Sequence, residues 1–116
     1  MANVQFEEKV EVRALFDGRE STVPFEFRHH NDKVHLMDAV NINGRDPEAK
    51  ARELRARIVA ARAAAVSKHF FTFYMAGDNS DRQIDEVLMP LEAESSAIDV
   101  TDIGSAADRV AELITA

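Results

Sequence analysis

The chain has 116 residues, a net charge of −7 and no cysteine, which excludes disulfide bonds and thiolate metal sites. This length suits a single domain, residues 1–116, and the chain shows neither a secretory signal nor an apolar run of about 18 residues, so we expect a soluble, cytoplasmic protein that makes no membrane contact. The acidic balance argues against nucleic acid as a partner, because the phosphates would be repelled.

The first predicted element is a long, half-buried strand over residues 3–17, where apolar and polar side chains alternate. Its inward side would carry Val4, Phe6, Val10, Val12, Ala14 and Phe16. The dipeptide Asp17-Gly18 then predicts a turn.

The second strand should place Val23, Phe25 and Phe27 on the same inward side. Pro24 lies within it and cannot donate a hydrogen bond to a neighbouring strand, so we expect a free sheet edge near this residue. Asn31-Asp32 predicts a two-residue hairpin turn that leads into the third strand.

The third strand, residues 33–42, should place four apolar side chains on one face. These are Val34, Leu36, Val40 and Ile42. Asp38 lies on the same face, where burial would raise its pKa and suit it to act as a base. The alternative, which we favour, is that Asp38 lies at a strand edge or forms an ion pair with an arginine of the following helix, Arg55 or Arg62.

The segment from Asp46 to about Ser67 predicts a helix, the central element of the fold. Asp46 suits the N-cap, and Pro47 suits the first helical position because its missing N–H costs nothing there. The core-facing positions would be Ala51, Leu54, Ile58, Ala61 and Ala65. The opposite face is small, which reflects either helix propensity alone or a partner that approaches closely. The partner-binding candidates on that face are Ala56, Ala60, Ala63 and Ala64.

The last third of the chain predicts four shorter elements. Residues 69–76 are apolar on both sides, which is typical of a central strand that is covered on each face. Residues 81–91 have helical spacing, although Pro90 should limit the helix to about two turns and an extended segment is the alternative. A short strand over residues 97–101 precedes a final helix that begins near Ser105.

The histidines next to the second turn form a candidate metal site. With residues 31–32 in the turn, Arg28 faces His35 and His30 faces Lys33, so His30 and His35 share the outward face. Imidazoles near a carboxylate bind transition metals. Arg28 and Lys33 lie on the same face, however, and their positive charge disfavours a cation. We therefore favour solvated hairpin residues and predict neither a bound metal nor a cofactor.

A second candidate site lies where two predicted strands end and helices begin. Asp78 and Ser80 follow the aromatic strand, and Asp102 and Ser105 follow the last strand. The carboxyl ends of strands are common ligand sites in α/β sheets, and helix N-termini favour anions. The two aspartates could hold a divalent ion that bridges to phosphate. The alternative is that all four residues only cap helices and turn the chain.

Together these elements predict an α+β protein with the order βββ-α-β-(α)-β-α. An antiparallel three-stranded meander and two later strands would form one mixed sheet with helices packed on it. No catalytic constellation is evident in the sequence, so the first hypothesis is a non-enzymatic domain that binds a protein partner or associates with itself as a homodimer. The strand-end ligand site is the second hypothesis. The third, nucleic-acid binding, would use Lys50, Arg52, Arg55, Arg57 and Arg62.

Overall fold

The structure is a computed structural model that describes residues 6–16, 18–30 and 33–115. It contains five strands and three helices in the predicted order. The strands are β1 (Glu7–Phe16), β2 (Arg19–His30), β3 (Val34–Ala39), β4 (His69–Tyr74) and β5 (Ser96–Asp99). The helices are α1 (Pro47–Ala63), α2 (Asp81–Glu92) and α3 (Ile103–Thr115). The two predicted turns, Asp17 and Asn31-Asp32, lie at least partly outside the described residues, as does the predicted start of the first strand.

The sheet is mixed, and its five strands follow one another in chain order. β1, β2 and β3 are antiparallel, which confirms the predicted meander. β3, β4 and β5 are parallel, because α1 and α2 each carry the chain back before the next strand begins. β4 therefore lies between two neighbours, as its apolar sequence predicts.

Helices cover both faces of the sheet. α1 and α2 pack on one face around a core that includes Leu36, Leu54 and Leu91. α3 packs on the other face, where Met37 and Phe71 meet its apolar side. The apolar residues of α3 in this second core are Ala106, Val110 and Ile114. β3 and β4 are consequently buried on both faces, whereas β1 and β2 are covered mainly by α1.

The β1–β2 ribbon changes face at Lys9. This residue has a left-handed backbone with φ 52°, and the regular pairing with β2 is interrupted between Glu8–Phe27 and Val10–Phe25. Val10 and Phe25 lie in the α1 core, but Phe27 packs against the α3 core. The prediction of one inward side for the whole ribbon is therefore wrong, because Phe25 and Phe27 of β2 contact opposite layers on either side of the interrupted pairing at Lys9.

Helix α1 begins and ends with capped backbone groups. Asp46 is its N-cap and accepts a hydrogen bond from the amide of Ala49 at 3.2 Å. At the other end Ala65 has φ 58°, and the amide of Val66 reaches back to the carbonyl of Ala61 at 3.0 Å. This arrangement is a Schellman motif, which normally has glycine at the left-handed position. The helix thus ends at Ala63, and Ala65 is exposed instead of facing the core.

The later elements differ from prediction mainly at their ends. α2 runs three turns, through Pro90 to Glu92, so the proline does not end it early. The helical interpretation of this segment is confirmed. β4 ends at Tyr74, and Met75, predicted to be part of the buried strand, is exposed. α3 begins two residues earlier than expected, at Ile103.

Candidate functional site

The outer edge of β1 is the first candidate surface. β1 stands at one end of the sheet, and no strand in the described part of the chain pairs with its outer side. Away from α1 this strand presents Glu11, Arg13 and Leu15, of which Leu15 is 66% exposed. Arg13 forms an ion pair with Glu20 of β2 at 2.8 Å, and both side chains are exposed. Such a pair contributes little to stability, so Arg13 is available to a partner.

The other free edge in the meander lies on β2, next to Pro24. β3 pairs with β2 only from Phe27 to His30, so Pro24 has a strand neighbour on the β1 side alone. Its carbonyl accepts a hydrogen bond from Arg57 of α1 at 2.9 Å. The free edge predicted near Pro24 is therefore present, but an arginine of the same chain covers it. β5, at the far end of the sheet, has only four residues, which leaves β1 as the long open edge.

The partner of Asp38 differs from prediction. Asp38 is buried on the α1 face, as expected, but it pairs with Arg57 at 2.9 Å and not with Arg55 or Arg62. Arg62 lies on the other side of the helix, where it pairs with Glu94. A cleft of about 300 Å³ beside Asp38 and Arg57 opens between the ribbon and α1. The ion pair and the hydrogen bond to Pro24 make this cleft a structural junction.

The small face of α1 is divided between core and solvent. Ala60 is buried in the core of the chain itself. Ala56, Ala63 and Ala64 are exposed, and Val59 lies among them on the helix surface. Close approach to the small face thus takes place within the monomer at Ala60, while the other three positions remain accessible.

Three histidines lie side by side on the α3 face. Strand pairing places His29 opposite His35 and His35 opposite His69. The ring centroids are 6.0 Å apart in the first pair and 5.1 Å apart in the second. We call these three residues the histidine row. His30 is exposed and lies on the opposite face of β2 from His29. The prediction that His30 and His35 share a face is therefore wrong.

This error comes from the connection between β2 and β3. The observed register places His30 opposite Val34, so the connection holds three residues and not two. Shifting a strand by one residue sends every side chain to the opposite face. His69 was missed altogether, because its position in the row depends on a parallel pairing that joins distant parts of the chain.

The histidine row borders a cleft of about 310 Å³, which we call the histidine cleft. It is lined by His35, Lys68, His69, Phe70, Phe71, Ala93, Glu94, Ser95, Ser96 and Leu113. His35 is only 2% exposed, and its Nδ1 atom has no hydrogen-bond partner within the described residues. Burial lowers the pKa of His35, and the positive charges of His69, His29 and Lys33 lower it further. A hydrogen bond with the backbone of His29 acts in the opposite direction.

Metal binding requires several ligands around one point. Among residues 6–16, 18–30 and 33–115, no group of three or more histidine, aspartate or glutamate side chains is placed to hold a metal ion. The histidine row brings its rings into tilted contact, with an angle of 35° between His35 and His69. The geometry of the row therefore differs from that of a three-ligand metal centre.

Two of the four predicted strand-end residues, Ser80 and Asp102, serve as helix caps. The Ser80 hydroxyl accepts a hydrogen bond from the amide of Gln83 at 3.2 Å. Asp102 accepts one from the amide of Ser105, also at 3.2 Å, so Asp102 is the capping residue of α3. Asp78 is exposed in the loop before α2. The site for a divalent ion and phosphate stays a prediction, and its carboxylates have structural partners or lie in solvent.

Asp99 and Thr101 join the two strand-end loops and were missed in the sequence. The Asp99 carboxylate accepts hydrogen bonds from the Thr101 hydroxyl at 2.6 Å, the Thr101 amide at 2.9 Å and the Ala76 amide at 3.2 Å. The hydrogen bonds from Thr101 are the main reason that the pKa of Asp99 is lowered. The pattern Asp-x-Thr directly after a strand is a signal for such a turn.

The class of this protein follows from its fold: an α+β domain with a mixed five-stranded sheet between two helical layers. Comparisons with known protein families, curated proteins and solved structures found no match. No helix of the described chain is long and apolar enough to cross a membrane. Function must therefore be argued from the surfaces described above.

Proposed function

We propose that this protein is a non-enzymatic interaction domain that self-associates through β1. In the proposed dimer, β1 of one copy pairs antiparallel with β1 of a second copy, so that two five-stranded sheets become continuous. The observation that supports this proposal is the outer edge of β1, which is ten residues long and has no strand neighbour in the described chain. Backbone groups along such an edge pair readily with another strand.

The register of this pairing follows from symmetry and charge. A two-fold axis perpendicular to the sheet lies midway between the two β1 strands, beside a residue that faces its own copy. With the axis at Val12, Glu11 of each copy faces Arg13 of the other, which gives two attractive pairs. With the axis at Glu11 or at Arg13, like charges would face each other. The charge pattern of β1 therefore favours the register centred on Val12.

Charged side chains on an edge strand usually prevent edge-to-edge pairing, because like charges meet. In β1 the signs of Glu11 and Arg13 differ, so one antiparallel arrangement is permitted while most others are opposed. The left-handed backbone at Lys9 limits the regular part of the edge to the residues that follow it. Both features select one register and oppose uncontrolled assembly into fibres.

The apolar side of β1 supports a defined dimer as well. Val10, Val12 and Ala14 are buried against the core of their own monomer. Pairing along the edge would not need to cover a large apolar surface, and its strength would come from backbone hydrogen bonds and the two charge pairs. Opposite charges that face each other across strands contribute roughly 0.2–1 kcal/mol per pair. We therefore expect an association that depends on protein concentration.

Charge reversal tests the proposed register directly. Sedimentation velocity over a range of protein concentrations should show a monomer–dimer equilibrium for the unchanged protein. Glu11→Arg or Arg13→Glu alone should weaken dimerisation by about tenfold, because each replaces two attractive pairs by two repulsive ones. The double variant, with both charges reversed, should dimerise as the unchanged protein does.

The controls separate dimerisation from folding. All three variants should keep their melting temperatures within a few degrees, because Glu11 and Arg13 are exposed in the monomer. Ala63→Glu, on the exposed part of the small face of α1, serves as a matched surface control and should leave dimerisation unchanged. A strictly monomeric unchanged protein would overturn the proposal, and a double variant that fails to recover would overturn the register.

A further inference from the structure

The histidine cleft lies at the end of the sheet where the parallel strands begin. His69 is the first residue of β4, and Ser96 is the first residue of β5. Lys68, directly before β4, is exposed at the cleft and His69 is half-buried. The cleft thus combines a fixed ammonium group, two imidazoles and a hydroxyl on adjacent strands.

The charges around the cleft are predominantly basic. His69, His29 and Lys33 are the charged groups that act on His35, and all three are basic. Glu94 is the acidic residue in the lining, and its carboxylate is held by Arg62 of α1. Arg62 also donates to the backbone carbonyl of Glu94 at 2.8 Å, so Arg62 offsets the acidic charge in the lining. From α3, the lining residue is the apolar Leu113.

We propose that the histidine cleft binds an oxyanion of the phosphate type, and that the histidine row takes up a proton when the anion binds. The ligand is inorganic phosphate or the terminal phosphate of a small ester. This site is separate from the β1 edge, on which the proposed dimer rests. No covalent step is involved, because the anion is bound and released unchanged.

The groups at the cleft fit this chemistry. Lysine is a common phosphate ligand, and Lys68 supplies a charge that does not depend on pH near neutrality. The His69 ring and the Ser96 hydroxyl can each donate a hydrogen bond to an anionic oxygen. The Nδ1 of His35 is buried and has no partner in the described chain, so an anion in the cleft acts on this ring through its charge.

Protonated histidines repel one another, and a bound anion offsets this repulsion. A proton is therefore taken up when the anion binds. Without a ligand, burial and the basic neighbours lower the pKa of His35. An anion adds negative charge beside the row and favours the protonated form of the imidazoles. α2 ends at Glu92, directly before Ala93 of the lining, and its negative end favours a protonated histidine but opposes the anion, so the charge of Lys68 must outweigh it. Anion and proton should therefore bind together.

The test uses the full chain and follows the histidine Cε1–H resonances by NMR during titration with inorganic phosphate. At pH 6 the signals of His35 and His69 should shift in a saturable way, and the pKa of His35 should rise. Affinity, expressed per phosphate dianion so that the ionisation of the ligand is removed, should fall by about tenfold per pH unit for each proton taken up by the protein, as the pH rises through the range between the free and bound pKa values. A parallel titration with glycerol phosphate distinguishes the free ion from a phosphate ester.

Three variants decide the outcome. His69→Gln and Lys68→Ala should each weaken phosphate binding at pH 6 at least fivefold. His30→Gln is the matched control, since His30 lies on the other face of β2, and it should bind as the unchanged protein does. The proposal is overturned if no saturable shift occurs, if His69→Gln and Lys68→Ala both bind normally, or if affinity is the same at pH 6 and pH 8.

Discussion

Arg57 donates from the same Nη1 atom to the Asp38 carboxylate and to the Pro24 carbonyl, each at 2.9 Å. This guanidinium joins α1 to β3 and to the part of β2 that β3 does not reach. Its Nε atom is buried and has no partner within the described residues. The junction thus secures the outer half of the β1–β2 ribbon with one side chain.

The first prediction concerns this junction. Arg57→Met should lower the free energy of unfolding by about 2–3 kcal/mol, because it leaves the Asp38 carboxylate buried without its counter-ion. The side chains are 18% and 10% exposed, so the loss should be smaller than for a fully buried pair. Urea denaturation measures the change.

The matched control for the junction is Arg55→Met on the exposed side of α1, which should change stability by less than about 0.5 kcal/mol. Adding Asp38→Asn to Arg57→Met should recover part of the loss, since the uncompensated charge is removed. Equal losses for the two methionine variants would show that Arg57 is not a structural residue.

The second prediction concerns the end of α1. Ala65→Gly should raise the free energy of unfolding by about 1 kcal/mol, because Ala65 has φ 58° and glycine adopts this conformation without steric cost. Ala64→Gly is the control: its φ is −80°, so glycine offers no relief there and should be neutral or destabilising. Thermal denaturation of both variants measures the difference, and a result in the reverse order would contradict the Schellman assignment.

The third prediction is a pH dependence that arises from His35. The pKa of this residue is lowered in the folded protein, so the unfolded chain binds more protons below about pH 6.5, the ordinary histidine value. The stabilisation due to His35 is fully present above that pH and is lost as the pH falls through it towards the folded pKa. Urea denaturation in phosphate-free buffers should therefore show decreasing stability below pH 6.5.

A substitution identifies the histidine responsible. His35→Phe should flatten the profile between pH 5 and pH 7, whereas His30→Gln should keep it, because His30 is exposed. If His35→Phe retains the full slope, another group causes the acid sensitivity.

The fourth prediction concerns Asp99 and Thr101. Thr101→Val removes the 2.6 Å hydrogen bond from the Thr101 hydroxyl, so the pKa of Asp99 should rise towards its ordinary value of 3.8. An NMR titration of the Asp99 side-chain carboxyl carbon measures this shift. An unchanged pKa of Asp99 in this variant would show that the Thr101 hydroxyl does not lower it.

Local signals in the sequence predicted much of the fold. Asp46-Pro47 marks the start of α1, and the apolar side chains of the aromatic segment indicate a strand covered on both faces. These features depend on neighbours along the chain. The basic helix α1 contacts an acidic group of its own chain, in the pair between Arg62 and Glu94.

The errors arise where tertiary structure overrides a local pattern. The pairing of β1 with β2 is interrupted at the left-handed Lys9, and there Phe27 faces the opposite layer from Phe25, which alternation alone does not reveal. The connection between β2 and β3 has one residue more than predicted, so His29 lies beside His35 where His30 was expected on the same face. The choice of Arg57 over Arg55 for Asp38 depends on how α1 is rotated against the ribbon, which is fixed by packing. The candidate site therefore could not be assembled from the sequence alone.

The kink at Lys9 has a mechanical consequence for the ribbon. Because the backbone turns there, β1 and β2 contribute Val10 and Phe25 to one core and Phe27 to the other. The ribbon is thereby anchored in both layers of the molecule. Loss of contact in one layer would therefore leave the ribbon attached through the other.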